Sequence, residues 1–245
     1  MIKKNYYKVV RVFPDPSSYF YIKNETMQMG QITYNDSSWL STVNIEYSFD
    51  KVNWIRFNGR FYLSADSYVY FRNTSGTFCT NEFYQVFWIT DMSISLGGDI
   101  RTLFNYTDVD SVTAIPAYGF KSPFSINVGR ITDISNLSFR GITSIGDYGL
   151  HGAFSQSWFE ITKGVDLRDV TTLGEGALNQ LYAYNSNISE VYAPNVSTWD
   201  TSKTSSWLSG AASTGVVYKP STLDISQNDT SGIPYNWTTQ DYPTE

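Results

Sequence analysis

The side chains with which this chain could do chemistry are few. Cys79 is the single cysteine and His151 the single histidine among 245 residues. An internal disulfide is therefore impossible, and a zinc site of cysteine and histidine ligands cannot be assembled. A Ser-His-Asp triad would have to rest on His151 alone, and His151 follows a glycine-containing turn, where we expect a partly exposed filler.

The acidic residues offer a second, weaker possibility. Asp147 and Glu175 stand at the same position of a repeated pattern, and Asp108 and Asp110 precede its first copy. Paired carboxylates can hydrolyse glycosides and aspartates can bind calcium, but no D-x-D-x-D-G loop is present. A polar residue at the exposed point of each turn explains Asp147 and Glu175 better. The sequence thus predicts a protein that is not an enzyme, with no catalytic residue, no metal site and no cofactor.

The repeated pattern is apolar-Thr-x-apolar-(Gly/Pro)-x-x-(Gly/Ala)-(Phe/Leu). It occurs as VTAIPAYGF at 112–120, ITSIGDYGL at 142–150 and VTTLGEGAL at 170–178, and more weakly from Val196, in steps of 30, 28 and 26 residues. A second pattern recurs within the units at three positions: Ile131, Ile161 and Ile188. Two patterns that recur together indicate stacked units, none of which can bury its apolar face alone. We therefore expect a short solenoid.

Each unit of this solenoid is expected to begin with a short strand and to turn at the following Gly or Pro. The turn places a large apolar residue, Phe120, Leu150 or Leu178, inside the stack. Because exposed coil ends need covering, we expect the C-terminal segment to cap one end with four apolar residues: Val216, Tyr218, Ile233 and Trp237.

Residues 36–100 predict a small β-sandwich or barrel, since short strand-like runs alternate with Gly, Asn, Asp and Ser. In VNIEYSFD, four side chains are expected on one face of a strand: Val43, Ile45, Tyr47 and Phe49. The stretch SFDKVNW, 48–54, has the S-x-D-x-x-x-W spacing of an Asp-box, which favours a hairpin turn with a structural role.

The first 35 residues hold two apolar runs of strand length on either side of a Pro-Asp-Pro turn. Either the runs are core strands of the next region, or they form an arm that adds to a neighbouring protein's sheet. For the second alternative we assign residues 1–35 as a candidate anchoring arm with these contact residues: Tyr6, Tyr7, Val9, Val10, Phe13, Tyr19 and Tyr21.

The composition excludes several classes of protein. Only 16% of the residues are charged, against about 25% in ordinary soluble domains, while Ser, Thr, Asn and Gly are abundant, which suits β-rich surface proteins. A net charge of −6 and a pI near 4.8 lack the basic footprint of a nucleic-acid binder. The sequence has no apolar run of about 18 residues, so we expect no membrane span. The first residues also lack the apolar core of a secretory signal. We expect an unprocessed chain.

At its repeats the chain resembles the BspA-like leucine-rich repeats of bacterial and phage surface proteins, whose unit is roughly I-T-S-I-G-x-x-A-F. The order of IEYSFD, YVYFRNTSGTF, ISLGGDIRTLFNYTD, the repeats and a closing GIPYNWT is similar to that of tail and fibre proteins of gut bacteriophages. This resemblance covers residues 36–245, and that family has no catalytic motif to carry over. It implies a mainly β chain with a β-sandwich-like domain (36–100), a short leucine-rich-repeat solenoid (101–215) and a C-terminal cap (216–245). The N-terminal arm (1–35) lies outside the resemblance, as expected of an attachment segment specific to one particle.

Aromatic residues concentrate where loops of the repeats are expected to emerge. Exposed Trp and Tyr side chains can stack on sugars or fill pockets of a partner, and repeat arrays often collect their binding loops on one face. The candidate contacts to a receptor or glycan are five: Trp158, Tyr182, Tyr184, Trp199 and Trp207. Burial between subunits is the competing explanation.

The leading hypothesis is a non-enzymatic bacteriophage structural protein at the virion surface, a head or tail fibre or decoration subunit, made in the host cytoplasm. It would hold other virion proteins through the N-terminal arm and contact host glycans or receptors. The aromatic surplus, 17% of residues, predicts a homo-oligomer, with a trimer favoured by analogy to fibres and a dimer second. The alternatives are a bacterial cell-surface adhesin and, less favoured, a polysaccharide depolymerase.

Overall fold

The structure, a computed structural model, describes residues 19–34, 44–73, 78, 85–156, 158–228 and 230–243. Cys79 and the predicted arm residues from Tyr6 to Phe13 lie outside these ranges. The described chain is mainly β, as the sequence predicts, and its strands form several sheets. Among the described residues, no helix has the length and apolar character that a membrane crossing requires.

The strands of the described residues are numbered in chain order. They are β1 Phe20–Asn24, β2 Gly30–Tyr34, β3 Ile45–Ser48, β4 Ile55–Arg56, β5 Arg60–Leu63, β6 Tyr68–Asn73, β7 Phe87–Thr90, β8 Ile94–Asp99, β9 Ala114–Ile115, β10 Phe124–Asn127, β11 Ile131–Ser138, β12 Ser144–Ile145, β13 Lys163–Asp166, β14 Thr172–Leu173, β15 Glu190–Tyr192, β16 Gly215–Lys219 and β17 Trp237–Asp241. One α-helical turn, α1, spans Thr102–Asn105, and a 3₁₀ turn spans Val109–Ser111.

The first two sheets contain residues 19–34, the described part of the segment that the sequence interprets as either core strands or an arm. The first sheet has the order β11-β8-β1-β6-β3-β4 and the second β10-β7-β2-β5. Strand β1 pairs on both sides, with Ile22 opposite Val69 of β6 and Leu96 of β8. Tyr19 bridges to the same sheet and Tyr21 is buried within it. Residues 19–34 are therefore core strands of the β domain, which is the first of the two alternatives, and not a free arm.

The Asp-box forms the hairpin that its spacing predicts. Strands β3 and β4 pair antiparallel, and the Asp50 carboxylate between them accepts hydrogen bonds from the backbone N–H groups of Val52 (2.8 Å) and Asn53 (2.7 Å). The turn begins at Ser48, so Phe49 lies beyond the strand and is 50% exposed. Its ring nevertheless lies beside that of Tyr47, with centroids 5.6 Å apart, which agrees with their expected common face.

Strand pairing joins the two regions on either side of the domain border expected between residues 100 and 101. Strand β11 pairs parallel with β8, and β10 pairs parallel with β7. The second half of the first repeat thus completes both sheets of the β domain. One continuous apolar core runs through both regions as a result.

The repeats pair with one another at equivalent positions. In the third sheet, with the order β14-β12-β9, Ile145 lies opposite Ile115 on one side and Leu173 on the other, always in parallel. The glycine that follows β12 and β14 has a steric cause. A Cβ at Gly146 would lie 2.7 Å from the backbone N of Ala117 in the preceding unit. Pro occupies this position only in the first unit.

The turns after these strands also stack from unit to unit. Backbone N–H groups alternate between partners: Gly149 N–H donates to Gly146 within its own turn at 2.9 Å, whereas Tyr148 N–H donates to Glu175 of the next unit at 2.8 Å. This alternation gives hydrogen-bond partners to backbone groups of the turns, which belong to neither a helix nor a strand. Leu150 is fully buried, as are its equivalents Phe120 and Leu178, which confirms their expected place inside the stack.

The C-terminal segment continues the fourth sheet, whose order is β13-β15-β16-β17, all parallel. Ile233 and Trp237 are buried as expected of a cap. However, Val217 fills the core in place of Val216 and Tyr218, because side chains alternate along a strand. The inward assignment of Val216 and Tyr218 is wrong by one residue.

Candidate ligand-binding site

The outward surface of the fourth sheet collects aromatic and charged side chains. Val165, Val191 and Val217 point from successive strands into the core, so the residues that alternate with them point away from it. The register sets Tyr192 of β15 beside Tyr218 of β16. Their rings stack with centroids 4.8 Å apart and planes 20° apart.

We call this surface the tyrosine face and define it by Lys163, Arg168, Tyr192, Tyr218 and Tyr242. The Nζ of Lys163 lies 5.0 Å from the centroid of the Tyr192 ring. The Cζ of Arg168 lies 5.5 Å from the centroid of Tyr192 and 6.0 Å from that of Tyr242. Contacts of a cation with an aromatic ring at such distances are attractive. The two cations therefore help to hold the rings in place.

Carboxylates fix both cations. Asp166 accepts three hydrogen bonds from the Arg168 guanidinium, at 2.8 to 3.0 Å. Glu190 forms an ion pair with Lys163 at 2.7 Å, and this contact raises the pKa of Lys163. Such partly exposed pairs contribute little to stability, but the bidentate Arg–carboxylate geometry is directional. Their effect here is to orient side chains.

Tyr242 closes one end of the tyrosine face. Its hydroxyl donates a 2.6 Å hydrogen bond to the carbonyl oxygen of Ala193, and its backbone N–H donates to Lys219. Burial raises the pKa of Tyr242 above its ordinary value, and the nearby Asp166 adds to that rise. The single O–H of the phenol is already donated to Ala193, so its oxygen can only accept a further hydrogen bond.

A cleft of about 620 Å³ opens beside the tyrosine face, between β11 and the turn that follows β13. A volume of this size is typical of sites for small ligands, about 300–1,000 Å³. Its polar lining includes Asn136, Arg140, Asp166, Arg168, Asn195 and Tyr242. Guanidinium, amide and phenol groups thus converge on one space, which suits a ligand rich in hydroxyl groups.

The charges of the cleft balance. Arg140 and Arg168 carry two positive charges, and Asp166 and Asp169 carry two negative ones. One oxygen of the Asp169 carboxylate already accepts a 2.8 Å hydrogen bond from the backbone N–H of Gly141. A balanced set of donors and acceptors favours a neutral or weakly charged ligand over a polyanion. Within the described ranges, no three His, Cys, Asp or Glu side chains come together in a way that could hold a metal ion.

Two of the five predicted contact residues belong to the core. Tyr182 and Trp207 are each 1% exposed. The Trp207 Nε1–H donates to the Gly232 carbonyl at 2.7 Å, and the Tyr182 hydroxyl accepts from Val165 N–H at 2.9 Å. Their assignment as ligand contacts is corrected accordingly, because neither side chain can reach a ligand in this structure.

The other three predicted contacts lie apart from one another. Trp158 and Trp199 are half-buried against the core. The Trp199 Nε1–H donates to the Ser231 carbonyl at 2.8 Å, and its ring lines a small cleft of about 160 Å³. Tyr184 is 64% exposed on the turn side of the repeats. Of the five, Tyr184 has the exposure that a surface contact needs.

The residues considered for catalysis make contacts that support the fold. Asp147 and Glu175 are exposed, and Asp147 Oδ1 accepts a 2.8 Å hydrogen bond from the backbone N–H of Glu175, so this carboxylate braces the next turn. Asp110 contacts Arg101 at 3.4 Å. His151 is half-buried as expected, and burial together with Lys121 lowers its pKa.

The tyrosine face was not among the candidate sites derived from the sequence. A signal for it exists, however, in the second repeated pattern. Counting from Ile161 and Ile188, the outward positions hold Lys163 and Glu190, then Asp166 and Tyr192. Polar and aromatic residues that recur there at a step of 26 or 27 residues mark an outward row beside the buried one.

No protein-family model, no curated protein and no solved structure matches this chain. The function must therefore be argued from the described residues themselves.

Proposed function

We propose that this chain is a non-enzymatic surface-recognition protein, a fibre or decoration subunit of a bacteriophage virion that contacts glycans of the host surface. The tyrosine face with its cleft carries the proposal. It combines stacked rings, fixed cations and convergent hydrogen-bonding groups on a rigid sheet. Such a site binds a hydroxyl-rich ligand without needing a nucleophile or a general acid.

The repeat architecture supports the structural part of the proposal. Equivalent residues pair in parallel in the third sheet, and the turns bond from unit to unit. We interpret this as a short solenoid of BspA-like leucine-rich repeats, in which the fourth sheet forms the presenting face. Stacked repeats commonly use an extended surface of this kind for binding.

The rest of the proposal concerns assembly. Residues 1–18 would attach the subunit to other virion proteins, and self-association, as a trimer or a dimer, would present several tyrosine faces together and so raise avidity. Light scattering on the isolated chain checks self-association: a stable monomer at micromolar concentration contradicts it. Mass spectrometry of purified particles checks the location, since a virion subunit must be found in them.

The binding part is tested with an array of purified bacterial surface polysaccharides. We expect Tyr218→Ala and Arg140→Ala to weaken binding of whichever glycan the wild-type chain retains, because both remove groups at the tyrosine face or its cleft. Tyr184→Ala is the matched variant, since it removes an exposed tyrosine on the turn side of the repeats. Loss of binding in Tyr184→Ala alone would move the site to the turn side and contradict the proposal.

The same array separates the less favoured functions. A depolymerase would shorten its polysaccharide on incubation, which chromatography of the product detects. A cell-surface adhesin of bacteria would share the glycan binding but would be absent from purified phage particles.

A further inference from the structure

A second groove lies on the β domain, far along the chain from the tyrosine face. It has a volume of about 540 Å³ and lies between the Asp-box hairpin and the connection from β5 to β6. Four aromatic side chains line it: Phe49, Tyr62, Tyr68 and Tyr70. We call it the sandwich groove. None of these residues was singled out as a binding contact from the sequence.

The aromatic side chains of the sandwich groove present much of their surface to solvent. Phe49 is 50% exposed, Tyr62 54% and Tyr68 38%. Tyr68 and Tyr70 alternate on β6, so they share a face of the strand. Their ring planes differ by only 8° and their centroids are 6.3 Å apart. The pair therefore forms a continuous aromatic platform, and contiguous exposed patches of this kind mark binding sites.

The aromatic side chains are held in place by neighbours outside the groove. Phe49 packs edge-to-face on Phe61 with centroids 5.5 Å apart. Tyr68 packs in the same way on Tyr21 at 5.4 Å. The Nζ of Lys51 lies 4.4 Å from the centroid of Tyr70. A binding site with rings that are already fixed loses less entropy when a ligand arrives.

The walls of the groove are also fixed, by two buried or internally bonded side chains. The fully buried amide of Asn24 donates to the carbonyl oxygens of Leu63 and Ser64, each at 3.1 Å, and its backbone N–H donates to Ser67 at 2.9 Å. Asn24 thereby holds the connection from β5 to β6. The Asp50 carboxylate holds the opposite hairpin through its hydrogen bonds to the turn.

Polar groups complete the rim. The Asp66 carboxylate is 81% exposed, and its Oδ1 pairs with Lys23 at 2.9 Å. A carboxylate has several acceptor sites, so Asp66 can accept further hydrogen bonds from ligand hydroxyl groups. Ser64 and Ser67 line the groove beside it. Aromatic faces next to hydroxyl and carboxylate acceptors match a sugar, which has an apolar C–H face and a hydroxyl edge.

We infer that the sandwich groove is a second carbohydrate site and that it binds a neutral oligosaccharide, with pyranose rings packed on Tyr68 and Tyr62 and hydroxyl groups bound by Asp66. The chain has a net charge of −6, and the rim carboxylate is paired with Lys23, so a neutral glycan is favoured over an anionic one. The inference concerns residues separate from those of the tyrosine face, so it stands or falls independently of the function proposed above.

The test uses the full chain and a panel of neutral and acidic oligosaccharides, with binding followed by ligand-observed NMR and titration calorimetry. We expect saturable binding of a neutral member, weakened about tenfold or more in Tyr68→Ala and in Tyr62→Ala, since each removes a stacking surface. Asp66→Asn should weaken it less. Trp88→Ala is the matched control, because the 50% exposure of Trp88 lies between those of Tyr68 and Tyr62 and the residue belongs to the same domain but not to the groove.

The other outcomes are decisive as well. No saturable binding of any neutral member at millimolar concentration overturns the inference, and preference for acidic members overturns the assigned ligand class. Binding that is lost in Tyr218→Ala but unchanged in Tyr68→Ala and Tyr62→Ala supports the tyrosine face and refutes the sandwich groove. Near-UV circular dichroism of each variant separates loss of binding from loss of fold, and Tyr62 is the safer position because its side chain is the most exposed of the four.

Discussion

Replacing Tyr182 by phenylalanine tests whether this residue serves the fold or a ligand. Between its pairs with Glu190 and Tyr192, β13 runs from Lys163 to Asp166 and so holds one residue more than β15. A bulge of this kind leaves an N–H group without its partner in the ladder. Here the Tyr182 hydroxyl supplies the missing acceptor, 2.9 Å from the N atom of Val165.

The expected loss of stability follows from the burial of that bond. Tyr182 is 1% exposed, so water is excluded and Tyr182→Phe leaves the Val165 N–H group buried and unsatisfied. Such a group costs about 1–3 kcal/mol of unfolding free energy. For a chain of this length, each kcal/mol shifts Tm by about 2–4 °C. We therefore expect Tm to fall by about 2–12 °C.

Thermal unfolding followed by circular dichroism measures this shift. Tyr184→Phe is the control, since the same chemical change at a residue 64% exposed should alter stability by less than about 0.5 kcal/mol. Equal Tm values for the two variants would refute the assigned role of the hydroxyl. Unchanged stability combined with lost glycan binding would restore Tyr182 as a ligand contact.

Three further predictions follow from other buried or braced groups. Burial lowers the pKa of His151, so the unfolded chain binds this proton more readily and stability must fall as pH drops below about 6.5. His151→Gln should reduce the Tm difference between pH 7.5 and 5.5. An unchanged difference would exclude His151 as its source. Hydrogen bonds from the turn hold the pKa of Asp50 well below its ordinary value, so Asp50→Ala should speed amide hydrogen exchange in the 48–54 hairpin, and protection equal to wild type would count against the brace. A Cβ at Gly97 would overlap the ring of Tyr21, so Gly97→Ala should lower the unfolding free energy by about 1–3 kcal/mol. The control Gly59→Ala, whose Cβ would have no atom within 4 Å, should lower it by less than about 0.5 kcal/mol. Equal denaturation midpoints for the two variants would refute the overlap.

The mainly β character and the apolar positions of the repeats were predictable because both depend on local periodicity. The place of the run around Phe20, Tyr21 and Ile22, as core strand or arm, was not predictable, because this run is buried on both faces. A strand covered on both sides shows no alternation, and neither does a strand that docks on another protein. The sequence alone therefore left two alternatives, and the pairing of β1 with β6 and β8 decides between them for the described residues.

Tyr182 and Trp207 were misassigned as ligand contacts for a different reason. Composition shows that rings are abundant but not which way they point. The stacked turns supply the missing register, because Phe154 N–H donates to Leu181 and Tyr182 N–H donates to Trp207. Tyr182 thus stands where Phe154 stands in the preceding unit, and their rings pack with planes 17° apart in the core.

The two candidate sites depend on the fold in different ways. The tyrosine face takes Tyr192 from β15 and Tyr218 from β16, so its geometry exists only while neighbouring units stay in register. The sandwich groove takes Tyr68 and Tyr70 from one strand and is braced locally. A ligand stabilises whichever arrangement it requires. A glycan on the tyrosine face would therefore tighten the stack of units, whereas one in the sandwich groove would leave that stack unchanged, and the repeats would then serve as a scaffold for a site they do not contain.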